Sequence, residues 1–247
     1  MVRAALHLTV ICGLTVLTQV GGFAWALSLL VKRRLAAFAV IYAALWLGAV
    51  TFAPVAGRVP LPCTGEPLRM QSPAYCLMLR HFVTPELAAV AQDAAETVAT
   101  DYPGTLTLVL DGGFPFLDGM PLLPHLSHDD GEKLDFAFFY TEDGRYIPGK
   151  TRSPIGYWAF ETLDHPNCPP AFPTLRWDLA WLQPLWPDRP LEPQRTKALI
   201  QAFLDDLRVG RVFVEPPLAL ALDVQGPSLG FQGCRAARHD DHIHIQL

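Results

Sequence analysis

Between Ala4 and Phe52 the only charged side chains are Lys32, Arg33 and Arg34, and every Asp and Glu follows residue 65. That asymmetry constrains the fold more than any other feature. Residues 4–31 and 35–52 are each apolar and long enough to cross a hydrocarbon layer, which takes about 20 helical residues. The basic triplet between them belongs on the cytoplasmic side by the positive-inside rule, so the N-terminus and the main domain both face outward. A cleavable signal peptide is the rival reading. It fits poorly, because the first apolar stretch exceeds a signal core of about 7–15 residues and a second stretch follows. Residues 1–56 are therefore expected to be a two-helix transmembrane hairpin anchor.

The remainder, roughly 165–185 residues, can bury a full core without staples. A net charge of −5 leaves no basic face for nucleic acid. Cys12 lies in the first apolar segment and reads as a small apolar filler. Cys63, Cys76, Cys168 and Cys234 fall in the outward domain, where disulfides persist. Of the three connectivities four cysteines allow, we take Cys63–Cys76 with Cys168–Cys234. No pair has the spacing of a cysteine zinc ribbon.

Residues 57–83 are dense in Pro and Gly and read as a linker; residues 84–247 form the folded domain. Thr84-Pro85-Glu86 starts a helix with a cap, a proline at the first position and an acid at the positive dipole end. Leu87, Val90, Ala91, Ala94 and Val98 continue it at helical spacing. Residues 105–110 read as a strand, and residues 134–140 as a central one, apolar on both faces. The turn at 141–144 leads back to Tyr146-Ile147 as a hairpin. Residues 148–173 read as loop with a short strand at 156–160, and 176–186 is ambiguous. Residues 192–207 form an amphipathic helix with Leu199, Ile200, Phe203, Leu204 and Leu207 on one side. A short strand at 212–214 and a helical turn at 218–222 precede a Gly-rich loop. Residues 242–247 alternate as a half-buried strand. The expected fold is α+β, a small antiparallel sheet with helices on one face.

On the last strand His242 and His244 share one face while Ile243 and Ile245 point into the core. His128 lies in a loop seven residues before Asp135, which opens the central strand. Neutral imidazoles and a carboxylate suit zinc, and three such ligands plus a water make the catalytic arrangement. His239 adds a third imidazole near the end of the chain. His7, His81 and His165 stand without such company and are assigned to surface or packing. His125 lies in a Pro-flanked loop, with a substrate-side or a surface role.

The order S-H-x-x-G-x-x-x-D at residues 127–135, then H-x-x-H-x-H at residues 239–244, resembles the LAS metallopeptidases. These are the superfamily of lysostaphin-type and D-alanyl-D-alanine peptidases, and the likeness is strongest to the penicillin-insensitive murein endopeptidases. The resemblance implies that His128, Asp135 and His244 hold a zinc ion. It also implies that His242 and His239 sit beside the bound water and the tetrahedral intermediate, with His242 the proton carrier and His239 orienting substrate or the oxyanion. Zinc brings the pKa of water down to about 7 and polarises the scissile carbonyl. An imidazole of ordinary pKa about 6.5 can take that water's proton and pass it to the leaving amine. Some relatives place an acidic base three residues before the last ligand, where this chain has Asp241. A regular strand turns that side chain away from His244. Lys133 stands where those endopeptidases carry an acid, and Asp129 or Asp130 is either a solvated loop charge or a contact for a cationic substrate group.

The sequence thus points to a membrane-anchored zinc metallopeptidase of the bacterial inner membrane, its domain on the periplasmic side. It would hydrolyse peptidoglycan stem peptides or crosslinks, as a D,D-endopeptidase or a D,D-carboxypeptidase. The alternative is an inactive, zinc-stabilised binding or assembly module of the cell envelope, like the hedgehog-type relatives of that fold.

Overall fold

The structure, a computed structural model, describes residues 1–161, 168–169, 172–176 and 180–247. His165, assigned to surface or packing, lies outside the described residues. The chain divides into two contact units. The first holds Met1–Leu61, Pro73–Ala88 and Asp111–Lys133; the second holds Pro62–Ser72, Ala89–Leu110 and Leu134–Leu247.

In the first unit, the apolar N-terminus forms three helices, α1 (Val2–Thr18), α2 (Gly21–Ser28) and α3 (Arg34–Phe52). Arg34–Ala56 runs 23 residues with mean hydropathy 2.1, long and apolar enough to cross a membrane. Residues 4–31, expected as one span, are instead broken between α1 and α2 by Gln19, whose φ is 64°. At about 26 Å, α1 alone falls short of a hydrocarbon core of about 30 Å. The break has a polar cause. Gln19 Oε1 accepts from the Phe116 N–H at 3.1 Å and Nε2 donates to Met120 Sδ at 3.5 Å, so the one amide in the run is used by a loop. Thr18 Oγ1 accepts from the Gly21 N–H at 2.9 Å, and a Cβ on Gly22 would lie 1.9 Å from Thr15 Oγ1. Only glycine lets α2 approach α1 so closely.

The C-terminal part of α3 is also engaged. Tyr42 donates to the Leu77 carbonyl at 2.6 Å and Trp46 to the Cys76 carbonyl at 2.8 Å. Ala49, Ala53, Leu79 and Phe82 form a core cluster with Trp46, Val50 and Phe116 packed on it. Val59–Pro60 pairs antiparallel with Phe82–Val83.

A six-stranded sheet organises the second unit. Its strands are β1 (Leu68–Met70), β2 (Thr107–Val109), β3 (Lys133–Ala137), β4 (Arg211–Phe213), β5 (Leu229–Gly230) and β6 (His242–Gln246), in the order β1-β2-β3-β6-β4-β5. The expected all-antiparallel sheet is corrected to a mixed one. β1 runs parallel to β2 and β5 parallel to β4, whereas β2–β3 and β6–β4 are antiparallel. Both parallel strands are short edges, one in the Pro-rich stretch and one in the Gly-rich loop. Two or three residues cannot display an alternation pattern.

The helix α4 (Pro85–Asp101) begins in the first unit and continues into the second. Thr84 caps it, accepting from the Leu87 N–H at 3.3 Å. The helix α5 (Pro193–Asp205) is capped by Glu192, which accepts from the Arg195 N–H at 2.6 Å. Its Phe203 meets Phe136 of β3 with ring centroids 4.7 Å apart, and both are fully buried. The helix stops at Asp205, before Leu207. That residue was expected on the buried face and is fully exposed, because Asp206 adopts extended backbone. The ambiguous stretch contains a 3-10 turn at Ala180–Leu185. Cys168 and Cys234 form a disulfide, Cys63 and Cys76 are both disulfide-bonded, and Cys12 is free.

Candidate functional site

Strand geometry dictates the site's first feature. β6 places His242 and His244 on one face while Ile243 and Ile245, both fully buried, occupy the other. The neighbouring β3 brings Asp135 against that histidine face. Asp135 Oδ1 lies 2.8 Å from His244 Nδ1 and 3.7 Å from His242 Nε2. His239 completes the group, its ring 4.9 Å from that of His242 and 5.4 Å from that of His244. Four of the residues singled out in the sequence, Asp135, His239, His242 and His244, thus converge in the second unit.

A fully buried carboxylate is costly unless bonded, because burial strips its hydration. Asp135 gains a second partner in Tyr157, whose hydroxyl donates to Oδ2 at 2.8 Å. The tyrosine ring also stands edge-on to His242, centroids 5.0 Å apart. His242 Nδ1 is 2.5 Å from Asp241 Oδ1, and the other Asp241 oxygen accepts from the Trp158 N–H at 2.5 Å. Trp158 sits at φ 62°, a left-handed conformation that costs a bulky residue about 1–2 kcal/mol. Gly156, at φ 84°, has the Leu110 side chain where a Cβ would be. Burial pushes the His242 pKa down, but Asp135 and Asp241 outweigh it and push it up to about 9.

His239 is held by its backbone. Its N–H donates to Glu215 Oε1 at 3.3 Å and its carbonyl accepts from the Glu215 N–H at 3.0 Å. Arg176 in turn pairs with both Glu215 oxygens at 3.2 Å. Arg238 pairs with Asp240 through two bonds of 2.9 and 2.6 Å and lies over the Phe160 ring at 4.0 Å. The Asp240 carbonyl accepts from the Glu161 N–H at 2.8 Å. The two adjacent acids of the terminal segment therefore have separate jobs: Asp240 anchors it and Asp241 grips His242. Burial pushes the Glu161 carboxyl up, against the pull of Arg152 at 3.0 Å.

His128 belongs to the first unit, seven residues before Asp135 along the chain. It is buried, and its Nδ1 lies 3.0 Å from the Gly112 carbonyl. If that nitrogen carries the proton, the lone pair is on Nε2, the tautomer arrangement of metal-binding histidines. His125 stands edge-on to it at 5.4 Å and lies 4.0 Å from Asp111, which Arg80 grips with bonds of 2.6 and 2.8 Å. Gly131, the glycine of the S-H-x-x-G-x-x-x-D pattern, adopts φ 74° and packs against the Arg58 side chain, so no Cβ fits there. Arg58 reaches Asp118 and the Asp130 carbonyl. Asp130 is paired with Lys133 and accepts from the Glu132 N–H at 2.9 Å, so its carboxylate is engaged within its own loop.

Asp135 and His244 are donors of the kinds zinc takes, and their facing atoms Oδ1 and Nδ1 lie 2.8 Å apart, a hydrogen-bond separation. Two ligands of one tetrahedral ion stand roughly 3.3–3.6 Å apart, so binding would require a small parting of the pair. His81, assigned to surface or packing, is buried, and burial lowers its pKa to about 4. The sequence reading missed Tyr157, Trp158 and Glu215. The first two lie in a Gly/Pro-rich loop, where an aromatic pair after a glycine was the only available signal. The chain matches no protein-family model, and no curated protein matches it.

Proposed function

We propose that the chain is a membrane-anchored zinc metallopeptidase of the bacterial cell envelope that hydrolyses peptidoglycan stem peptides or crosslinks. The observation that carries the reading is the convergence of His242 and His244 on the buried carboxylate of Asp135, with the His239 ring packed against both histidines. The sequence motif adds His128 as the third ligand beside Asp135 and His244. His125, His128 and Asp135 are side chains of the kinds that could hold a metal ion. When bound, zinc supplies an acidified water and a Lewis acid for the scissile carbonyl. The chain's own residues supply the rest. His242 holds and moves a proton at Nε2, with Nδ1 fixed by Asp241, and His239 serves to orient the substrate or the oxyanion. The apolar helix Arg34–Ala56 and the disulfides agree with anchoring in the inner membrane and a periplasmic domain.

The test is cleavage of muropeptides by the purified full-length chain in detergent, with and without a chelator. Metal-dependent release of a stem-peptide product is the expected result; no such cleavage of any muropeptide would sink the reading.

One observation favours a second reading. Asp135, His239, His242 and His244 are only 0–4% exposed, and closed sites are the mark of structural rather than catalytic zinc. A zinc-stabilised binding module needs no proton carrier. Replacing His242 with Ala separates the two: retained zinc with a retained cell-wall phenotype selects the binding module, and retained zinc with lost cleavage selects the peptidase.

A further inference from the structure

The dipeptide Tyr157-Trp158 touches both carboxylates that flank His242, by two different groups. The Tyr157 hydroxyl donates to Asp135 Oδ2 at 2.8 Å, and the Trp158 backbone N–H donates to Asp241 Oδ2 at 2.5 Å. In each case the opposite oxygen faces a histidine. Asp135 Oδ1 lies 2.8 Å from His244 Nδ1, and Asp241 Oδ1 lies 2.5 Å from His242 Nδ1. Local backbone geometry is committed to this arrangement. Gly156 and Trp158 both sit at positive φ, 84° and 62°, and Leu110 packs where a Gly156 Cβ would be. The Leu110 N–H also donates to the Asp135 carbonyl at 2.8 Å, so the same residue braces the dipeptide and the strand beside it. A tryptophan held in a left-handed conformation persists only where its surroundings over-determine it, and such strain clusters at functional sites.

We propose that Tyr157-Trp158 is a positioning clamp for the metal centre: Tyr157 occupies one oxygen of Asp135 so that the carboxylate meets the ion through the other alone, and Trp158 locks Asp241 onto His242. The inference rests on the zinc reading of Asp135 and His244. A carboxylate with both oxygens available can chelate an ion through two bonds, whereas a hydrogen bond to one oxygen fixes its orientation. The clamp therefore sets how many coordination positions remain for water and substrate. The side chain of Trp158 has no part in it; only its N–H does.

The full-length chain in detergent, loaded with Co2+ as the probe, tests this through its visible spectrum and a chelator competition. Tyr157→Phe keeps the ring against His242 and removes only the hydroxyl. The expected result is Co2+ affinity about 10-fold or more weaker, with the d–d bands losing intensity as Asp135 becomes bidentate and the coordination number rises. Tyr146→Phe is the control: it removes a hydroxyl that accepts from the Leu106 N–H at 3.0 Å and belongs to no part of the clamp, so its affinity and spectrum should match the parent. If Tyr157→Phe melts like the parent and binds Co2+ with unchanged affinity and spectrum, the clamp is overturned. It is equally overturned if Tyr146→Phe weakens binding as much as Tyr157→Phe, since the loss of any tyrosine hydroxyl then explains both. Failure of the parent chain to bind stoichiometric Co2+ overturns the metal reading itself, a separate outcome.

Discussion

Raising the pH on the metal-free chain should remove a proton that the fold depends on. His242 is buried between the Asp135 and Asp241 carboxylates, which hold its pKa at about 9 against an ordinary 6.5 despite the cost of burial. Between those values the folded chain binds a proton that the unfolded chain has released. The stabilisation is complete below pH 6.5, declines as pH rises, and is lost above about pH 9. The difference corresponds to about 3 kcal/mol, a substantial part of the roughly 5–15 kcal/mol that holds an ordinary domain folded. For a chain of this size each kcal/mol moves the melting temperature by about 2–4 °C, so the melt should fall by roughly 6–12 °C. Thermal melts of the chelator-treated chain in detergent, followed by circular dichroism at pH 6.5, 7.5, 8.5 and 9.5, measure it. His242→Gln cannot hold the proton and should give a much flatter profile. Zinc should reverse the trend, because its ligands bind best when deprotonated. His81 acts in a separate window: burial lowers its pKa to about 4, so it destabilises the fold only as pH falls below 6.5. A metal-free chain whose melting temperature is level from pH 6.5 to 9.5, or a His242→Gln variant that declines just as steeply, would refute the buried-pair argument.

Three other outcomes follow from the geometry. Asp241→Asn keeps the bond from the Trp158 N–H but turns an amide donor toward His242 Nδ1, forcing the ring proton to Nε2; cleavage should fall by up to ~10^4-fold, as in comparable tautomer swaps, while zinc content by elemental analysis is unchanged. Phe203→Ala removes the ring that packs on Phe136 in a fully buried position and should cost about 3–5 kcal/mol, read from urea titrations. Gln19→Leu leaves the Phe116 N–H without its acceptor at 3.1 Å and should destabilise the full chain by about 1–3 kcal/mol, whereas an unchanged melt would show that the α1–α2 break does not depend on that amide.

Several features of the protein could be read locally. Thr84-Pro85 marks the start of α4, Glu192-Pro193 that of α5, and the alternation at residues 242–247 sets both histidines of β6 on one face. The absence of charge from residues 35–52 gives the long apolar helix at Arg34–Ala56. Each of these rests on neighbours within one or two turns, where backbone period alone decides which way a side chain points.

What the sequence could not decide is who meets whom. His244 finds Asp135 across 109 residues, Trp158 finds Asp241 across 83, and Tyr157 finds Asp135 across 22. Gln19 looks like one polar interruption in an apolar run until the Phe116 N–H arrives to use it, and the run then breaks into two helices. The edge strands β1 and β5 have no pattern of their own and exist because β2 and β4 offer them hydrogen bonds. Asp241 shows the division most clearly. Its place beside His242 is fixed by the chain, but its function as the group that holds Nδ1 depends on a backbone N–H presented by Trp158 in a left-handed conformation. Local periodicity determines direction; only the closed tertiary structure determines contact, because loop closure brings partners together that no local pattern relates.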